Sequence, residues 1–195
     1  MKKSTTLQAF IVCALAFSLF ACGNKENTRT SQASDSVPAR ILKAGWQEYT
    51  GTGFSIAYPP AWTKKESAGS TGFMTPIEGS DDFFQENVNV LVQDLAAQPM
   101  NLDQYTDFSK AQIKQSLGDS SIESLRRIKV GGMPADEMIY KMKYQEKILT
   151  IKGVWMVSDN KAYVITYAAE PEKFNTYLAD ADEVCNSFRL KNAGK

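Results

Sequence analysis

The chain has 195 residues, 43% hydrophobic and 23% charged, with 22 Lys+Arg against 22 Asp+Glu and no His. Such a length and composition suit one ordinary globular domain with appendages, and the even charge offers no basic face for nucleic acid. Without His, Ser-His-Asp and Cys-His nucleophile arrangements and imidazole-based zinc sites are excluded, while Ser-Lys or paired-carboxylate chemistry stays formally open.

Met1-Lys2-Lys3 is a short basic start, and Leu7 to Phe20 is an apolar run broken only by Gln8 and Ser18. A bilayer span needs about 20 apolar residues, so this run is too short to cross one and suits the centre of an export signal. It ends Leu19-Phe20-Ala21-Cys22-Gly23. That ending is similar to the lipobox of bacterial lipoproteins, although Phe20 is bulkier than the motif prefers. Residues 1–21 are therefore expected to be a signal peptide and Cys22 the lipid-attachment residue. The resemblance implies a diacyl thioether and an N-acyl chain of the palmitate kind, and more than one chain gives stable anchoring. Membrane lipid through Cys22 is the first expected partner.

Removing Lys2 and Lys3 with the signal leaves 20 basic against 22 acidic side chains. Gly23 to Pro38 has almost no apolar content and cannot build a core, so residues 22–38 read as the lipidated Cys and a disordered tether. Such a tether holds its cargo about 20–25 Å from the lipid. Cys13 leaves with the signal, so Cys185 alone keeps a free thiol, and it reads as a small core hydrophobe.

The globular part is expected over residues 39–195. Gly53-Phe54-Ser55-Ile56-Ala57-Tyr58 alternates like a half-buried strand, and Pro59-Pro60 ends it ahead of Trp62, which should pack beneath the sheet edge. Thr71 to Thr75 and Val88 to Gln93 are further strands. Asn101, with Gln104 three residues on, has the form of a capping box opening a helix, and Gly118 stops it. Four runs follow, Ser124 to Val130, Ala135 to Tyr144, Lys147 to Val157 and Ala162 to Ala169. The short turns between them require antiparallel hairpins. Pro171 then opens a second helix with the apolar stripe Phe174, Tyr177, Leu178, Ala181, Val184, Cys185 and Phe188, while Asp180, Asp182 and Glu183 read as its solvent side. The class is α+β, an antiparallel sheet of about six to seven strands against two main helices.

Gly53-Phe54-Ser55-Ile56-Ala57-Tyr58-Pro59-Pro60-Ala61-Trp62 resembles the G-F-x-I-x-Y-P-x-x-W opening of PsbP-like domains. Gly132-Met133-Pro134-Ala135, the Ala162–Ala169 strand and the ending Ser187-Phe188-Arg189 match the second half of the same superfamily, which includes Mog-type and DcrB-like proteins. The resemblance implies a curved sheet in an α/β/α sandwich and accessory or binding proteins, not enzymes. Metal binding in photosynthetic members draws partly on histidines, which this chain lacks, so no metal or cofactor is carried over.

Glu78, Asp81, Asp82 and Glu86 form an acidic cluster around Gly79-Ser80. Calcium takes carboxylates from loops, which makes Glu78, Asp81 and Asp82 a candidate calcium site, although no EF-hand spacing is present and solvated acidic loops are common. Phe83-Phe84 beside it reads as loop anchoring. No catalytic residue stands out. The sequence points to a non-enzymatic binding or assembly module, lipid-anchored at the extracytoplasmic face of the cell envelope, with an unidentified envelope protein as partner. A carrier or sensor of a small apolar ligand, using Tyr105, Phe108, Trp155, Tyr163, Tyr167 and Phe174, is the alternative, and a carboxylate-based hydrolase a weaker one.

Overall fold

The structure is a computed structural model and describes residues 42–67, 69–80, 82, 84–118 and 121–191. The expected signal, the lipobox residues Leu19, Phe20 and Ala21, Cys22, the tether, Asp81 and Phe83 lie outside the described residues. Among those described, ten strands and two helices follow in the order β1 (Gln47–Gly51), β2 (Phe54–Tyr58), β3 (Thr63–Ser67), β4 (Ser70–Met74), β5 (Asn87–Asp94), α1 (Leu102–Leu117), β6 (Ile122–Val130), β7 (Met133–Tyr144), β8 (Lys147–Ser158), β9 (Lys161–Ala169), α2 (Pro171–Ser187) and β10 (Arg189–Leu190).

Seven strands form one antiparallel sheet in the order β3-β4-β5-β9-β8-β7-β6. Its second half is the expected meander, each strand lying beside the next in sequence because two-residue turns leave no room for a crossover. Gly131 and Gly132 supply positive φ at the β6–β7 turn, as do Asp159 and Asn160 at the β8–β9 turn. β8 is buried along both faces from Leu149 to Met156, because layers cover the sheet on both sides.

The single sheet expected from sequence is instead joined by a second one. β2 does not join the main sheet: it pairs with β1 on one side and β10 on the other. β1 and β3 are largely exposed and polar, held mainly by backbone pairing, with Tyr49 of β1 packing on Phe54 and Phe73. The small sheet and α2 cover one face of the main sheet, enclosing a core that includes Phe54, Ile56, Trp62, Phe73, Val88, Ile165, Tyr167, Phe174, Val184 and Phe188. α1 covers the β7–β8 part of the opposite face, setting its own Tyr105 over Met138, Tyr140, Leu149, Ile151 and Trp155.

Helix α1 starts as its sequence requires. The Asn101 side chain accepts from the Gln104 backbone N–H at 2.9 Å, and the Gln104 side chain accepts in return from the Asn101 N–H at 2.9 Å. The α2 stripe faces the core, and Cys185 is buried with its thiol pushed up to about 12 by desolvation, an inert group. No helix among the described residues is long and apolar enough to cross a membrane.

Candidate functional site

The loop between β4 and β5 carries the acidic cluster and folds against the first two turns of α2. Lys173 and Tyr177 are four residues apart, so they share one helix face, and that face meets the loop. Lys173 Nζ lies 2.8 Å from Asp82 Oδ1, 3.2 Å from Glu78 Oε2 and 3.7 Å from Glu86 Oε2. Asp82 Oδ2 accepts the Glu78 backbone N–H at 3.0 Å, and the Tyr177 hydroxyl donates to Glu78 Oε1. Glu78, Gly79, Ser80, Asp82, Glu170 and Lys173 line a groove of about 400 Å³. Phe84, next along the loop, is buried against the opposite core and edge-on to Tyr144, which pins the loop in place.

Beneath the groove the carboxylate of Glu86 is fully buried at 0% exposure. Its Oε1 accepts the Glu170 backbone N–H at 3.3 Å, at the start of α2, while Oε2 has no hydrogen-bond partner. Thr75 pairs with Glu86 through its N–H at 2.9 Å and is also fully buried with an unpartnered hydroxyl. Glu170 in turn accepts from Lys147 Nζ at 2.6 Å.

These surroundings set the ionisation of each group. Hydrogen bonds from Tyr177 and then Lys173 hold the Glu78 carboxyl below its ordinary range. Burial acts to raise Asp82, but Lys173 and backbone N–H groups outweigh it and leave it lowered. Desolvation dominates at Glu86 and raises its carboxyl. Burial acts against the charge of Lys173, but the bonds to Asp82 and Glu78 prevail and raise its ammonium further. The result is an ammonium enclosed by carboxylates, with Glu78 and Asp82 held toward the charged form and Glu86 pushed by burial toward the neutral one.

Of the calcium candidates, Glu78 and Asp82 are thus brought together, and both engage Lys173. Among the described residues no group of three or more His, Cys, Asp or Glu is arranged to hold a metal ion. Sequence reasoning missed Lys173 and Tyr177 as members of the site, because the 91 residues separating Asp82 from Lys173 leave no local signal. Asp182, read from sequence as solvent-facing, bonds Lys152 Nζ at 2.5 Å and helps fix α2 to β8. Five of the six aromatic residues offered for an apolar ligand pack on other rings: Tyr105 on Trp155 at 6.4 Å, Tyr163 on Phe188 at 5.7 Å and Tyr167 on Phe174 at 5.1 Å.

The arrangement of sheet and helices recurs in solved structures. Protein PA94 of Pseudomonas aeruginosa, of unknown function, superposes with a TM-score of 0.57 at 12% identity over 77% of this chain and 100% of its own. Cyanobacterial PsbP from Synechocystis sp. PCC 6803 gives 0.56 at 14% identity over 78% and 96%. LpqN of Mycobacterium tuberculosis, involved in cell envelope biogenesis, gives 0.53 at 14% identity over 71% and 83%. No curated protein sequence matches the chain. Across residues 9–190, which take in both sheets, both helices and the Lys173 groove, the sequence fits the family described as PsbP-like protein, and the chain belongs to that family.

Proposed function

We propose that this protein is a lipid-anchored lipoprotein of the cell envelope that works as a non-enzymatic binding or assembly module, with the groove around Lys173 as its docking site. The observation that carries this reading is the engagement of Lys173 by Glu78 and Asp82, with Glu86 close behind. A lysine tied to carboxylates is a poor nucleophile or base, whereas a fixed pattern of charges beside a groove suits recognition. Cys185, the thiol in the domain, is buried and protonated, which also favours binding over catalysis. The polar tether and the Leu19-Phe20-Ala21-Cys22 sequence support anchoring, and the fold shared with LpqN supports a place in the envelope. The PsbP-like family supports an accessory role. The packing of Tyr105, Trp155, Tyr163, Tyr167 and Phe174 on neighbouring rings gives the apolar-carrier reading less support.

Fractionation with mass spectrometry of the mature N-terminus tests the anchor: wild type should stay with membranes carrying lipid on Cys22, and Cys22→Ser should be released. A mature N-terminus elsewhere, or an unlipidated Cys22, would refute it. Photocrosslinking from Ser80 in intact cells tests the groove. The expected result is a discrete crosslinked species that Glu78→Lys abolishes without loss of folding.

A further inference from the structure

We infer that the Lys173 groove receives a cationic side chain, arginine or lysine, from a partner protein segment in which apolar residues flank that cation. The inference rests on the groove being the docking site proposed above, and it names the chemistry of what docks there.

Acceptors outnumber donors in the groove. Glu78, Asp82 and Glu170 line it together with the ammonium of Lys173. Lys147 serves Glu170 from outside, at 2.6 Å. Lys173 is left to Glu78, Asp82 and Glu86 together. Its short contacts go to Asp82 and Glu78, and Glu86 Oε2 stays 3.7 Å away without a hydrogen bond. That oxygen belongs to a side chain with 0% exposure, and it faces the ammonium that lines the groove. The other oxygen, Oε1, meets the backbone N–H of Glu170, a second lining residue. A buried acceptor without a donor is unfavourable, so the site suits a guest that brings N–H donors and positive charge.

The Asp82 side chain is 2% exposed and that of Glu78 43%, so Glu78 is the carboxylate within reach of a guest. A guanidinium or ammonium arriving there takes over one of the two short contacts that hold Lys173. Lys173 can then close the 3.7 Å gap to Glu86 Oε2, and guest and lysine together supply donors to all three carboxylates. An anion would instead meet an ammonium already surrounded by carboxylates. A metal ion would need three or more His, Cys, Asp or Glu suitably grouped, and no such group occurs among the described residues.

The flanks identify a polypeptide as the source of the cation. Of the large apolar side chains exposed among the described residues, the two most exposed, Ile77 at 64% and Ile148 at 46%, belong to this end of the domain. Ile77 directly precedes Glu78. Thr150 pairs with Ala169 at the end of β9, so Ile148 lies beyond that end, where Glu170 leads into α2, and its neighbour Lys147 bonds Glu170. Exposed apolar side chains beside an anionic groove match a segment that sets apolar residues around Arg or Lys, whereas a free amine leaves them uncovered.

Calorimetric titration of the full-length chain in non-ionic detergent tests this. The probe is acetyl-Leu-Arg-Leu-amide, and its control is the same peptide with citrulline, neutral and nearly isosteric, in place of arginine. The arginine peptide should bind at least about tenfold more tightly than the citrulline one, and added salt should narrow the gap. Ethylguanidinium, a cation without apolar flanks, should bind more weakly than the peptide. Glu78→Gln should cut the arginine peptide's affinity about tenfold, whereas Lys173→Met removes the internal competitor for Glu78 and should raise it. Should circular dichroism show Lys173→Met unfolded, the Glu78→Gln and citrulline arms decide. No binding of the arginine peptide, equal affinity for the citrulline peptide, ethylguanidinium binding as tightly as the peptide, or a folded Lys173→Met that loses binding would each overturn the inference. A discrete Ser80 crosslink alongside any of these would still uphold docking in the groove, and its absence would remove both readings.

Discussion

Lys152 Nζ on β8 lies 2.8 Å from Glu137 Oε2 on β7, and the two side chains are only 6% and 4% exposed. Around this pair the outer partners reach the surface: Arg126 on Glu137, 65% exposed, and Asp182 on Lys152, 40% exposed. Burial opposes the charge on Lys152, yet the bonds to Asp182 and Glu137 leave it firmly protonated. Removing one member of such a pair strands the other in a dry site, which costs about 3–5 kcal/mol, whereas an apolar replacement of both is close to neutral. Lys152→Ala should therefore lower urea-denaturation stability by about 3 kcal/mol. Lys152→Met combined with Glu137→Leu should recover most of that loss, since Arg126 and Asp182 can turn to water. A double variant as weak as the single one would show that the charges themselves are required.

The Lys173 groove has a two-part acid response. Glu78 and Asp82 have lowered carboxyls, so their contribution is present above their unfolded values, near 4.5 and 3.8, and is lost as pH falls through the folded ones. Glu86 is raised from 4.5, so the folded state prefers it protonated and gains stability as pH falls through that raised value. Melting temperature should rise on mild acidification from neutrality, then drop below about pH 4. Glu86→Gln should melt a few degrees higher than wild type at pH 7 and lose the rise. A variant that melts lower at pH 7 would mean that the charged Glu86–Lys173 contact outweighs desolvation.

The long strands and both helices were legible because their signals are local. Pro171 and the stripe from Phe174 to Phe188 mark α2, and the Asn101–Gln104 pair marks α1. β1 and β3 left little mark: Gln47-Glu48-Tyr49-Thr50 and Thr63-Lys64-Lys65-Glu66 are mostly polar, and beyond backbone pairing it is the ring of Tyr49 that reaches the core. The acidic loop was visible as composition, but its meaning was not. Thr75 and Glu86 become neighbours through one backbone bond at the loop's base, and Lys173 arrives from a helix almost 90 residues on. Periodicity reports which side of an element is apolar. It carries no information about which distant cation meets a given carboxylate.

Trp62 is 5% exposed, within the core between the small sheet and α2, with its ring edge-on to Tyr177 at 6.4 Å. The Trp62 N–H donates to the Pro59 carbonyl at 3.0 Å, so the proline pair closes the turn that swings the indole inward. Truncating a buried aromatic costs about 3–5 kcal/mol. Trp62→Ala should lower stability by that amount and also loosen α2 near Tyr177, read as faster hydrogen exchange there. An unchanged melting temperature would make Trp62 a recognition residue instead.

The two glycines of the β6–β7 turn should differ sharply although both hold positive φ. A Cβ on Gly132 would meet nothing within 4 Å, so Gly132→Ala pays only the left-handed backbone strain, about 1 kcal/mol. A Cβ on Gly131 would sit 2.7 Å from the Phe188 carbonyl oxygen, at the end of α2. That oxygen belongs to backbone between α2 and β10, so it cannot rotate aside as a side chain would. Phe188 itself is fully buried and stacked on Phe54 at 5.4 Å, which fixes its position from the other side. Gly131→Ala must therefore displace the turn or the C-terminal end of α2. It should cost at least about 2 kcal/mol more than Gly132→Ala. Equilibrium denaturation of the two variants compares them directly. Equal losses would show that the turn yields freely and that its packing on Phe188 contributes little to the fold.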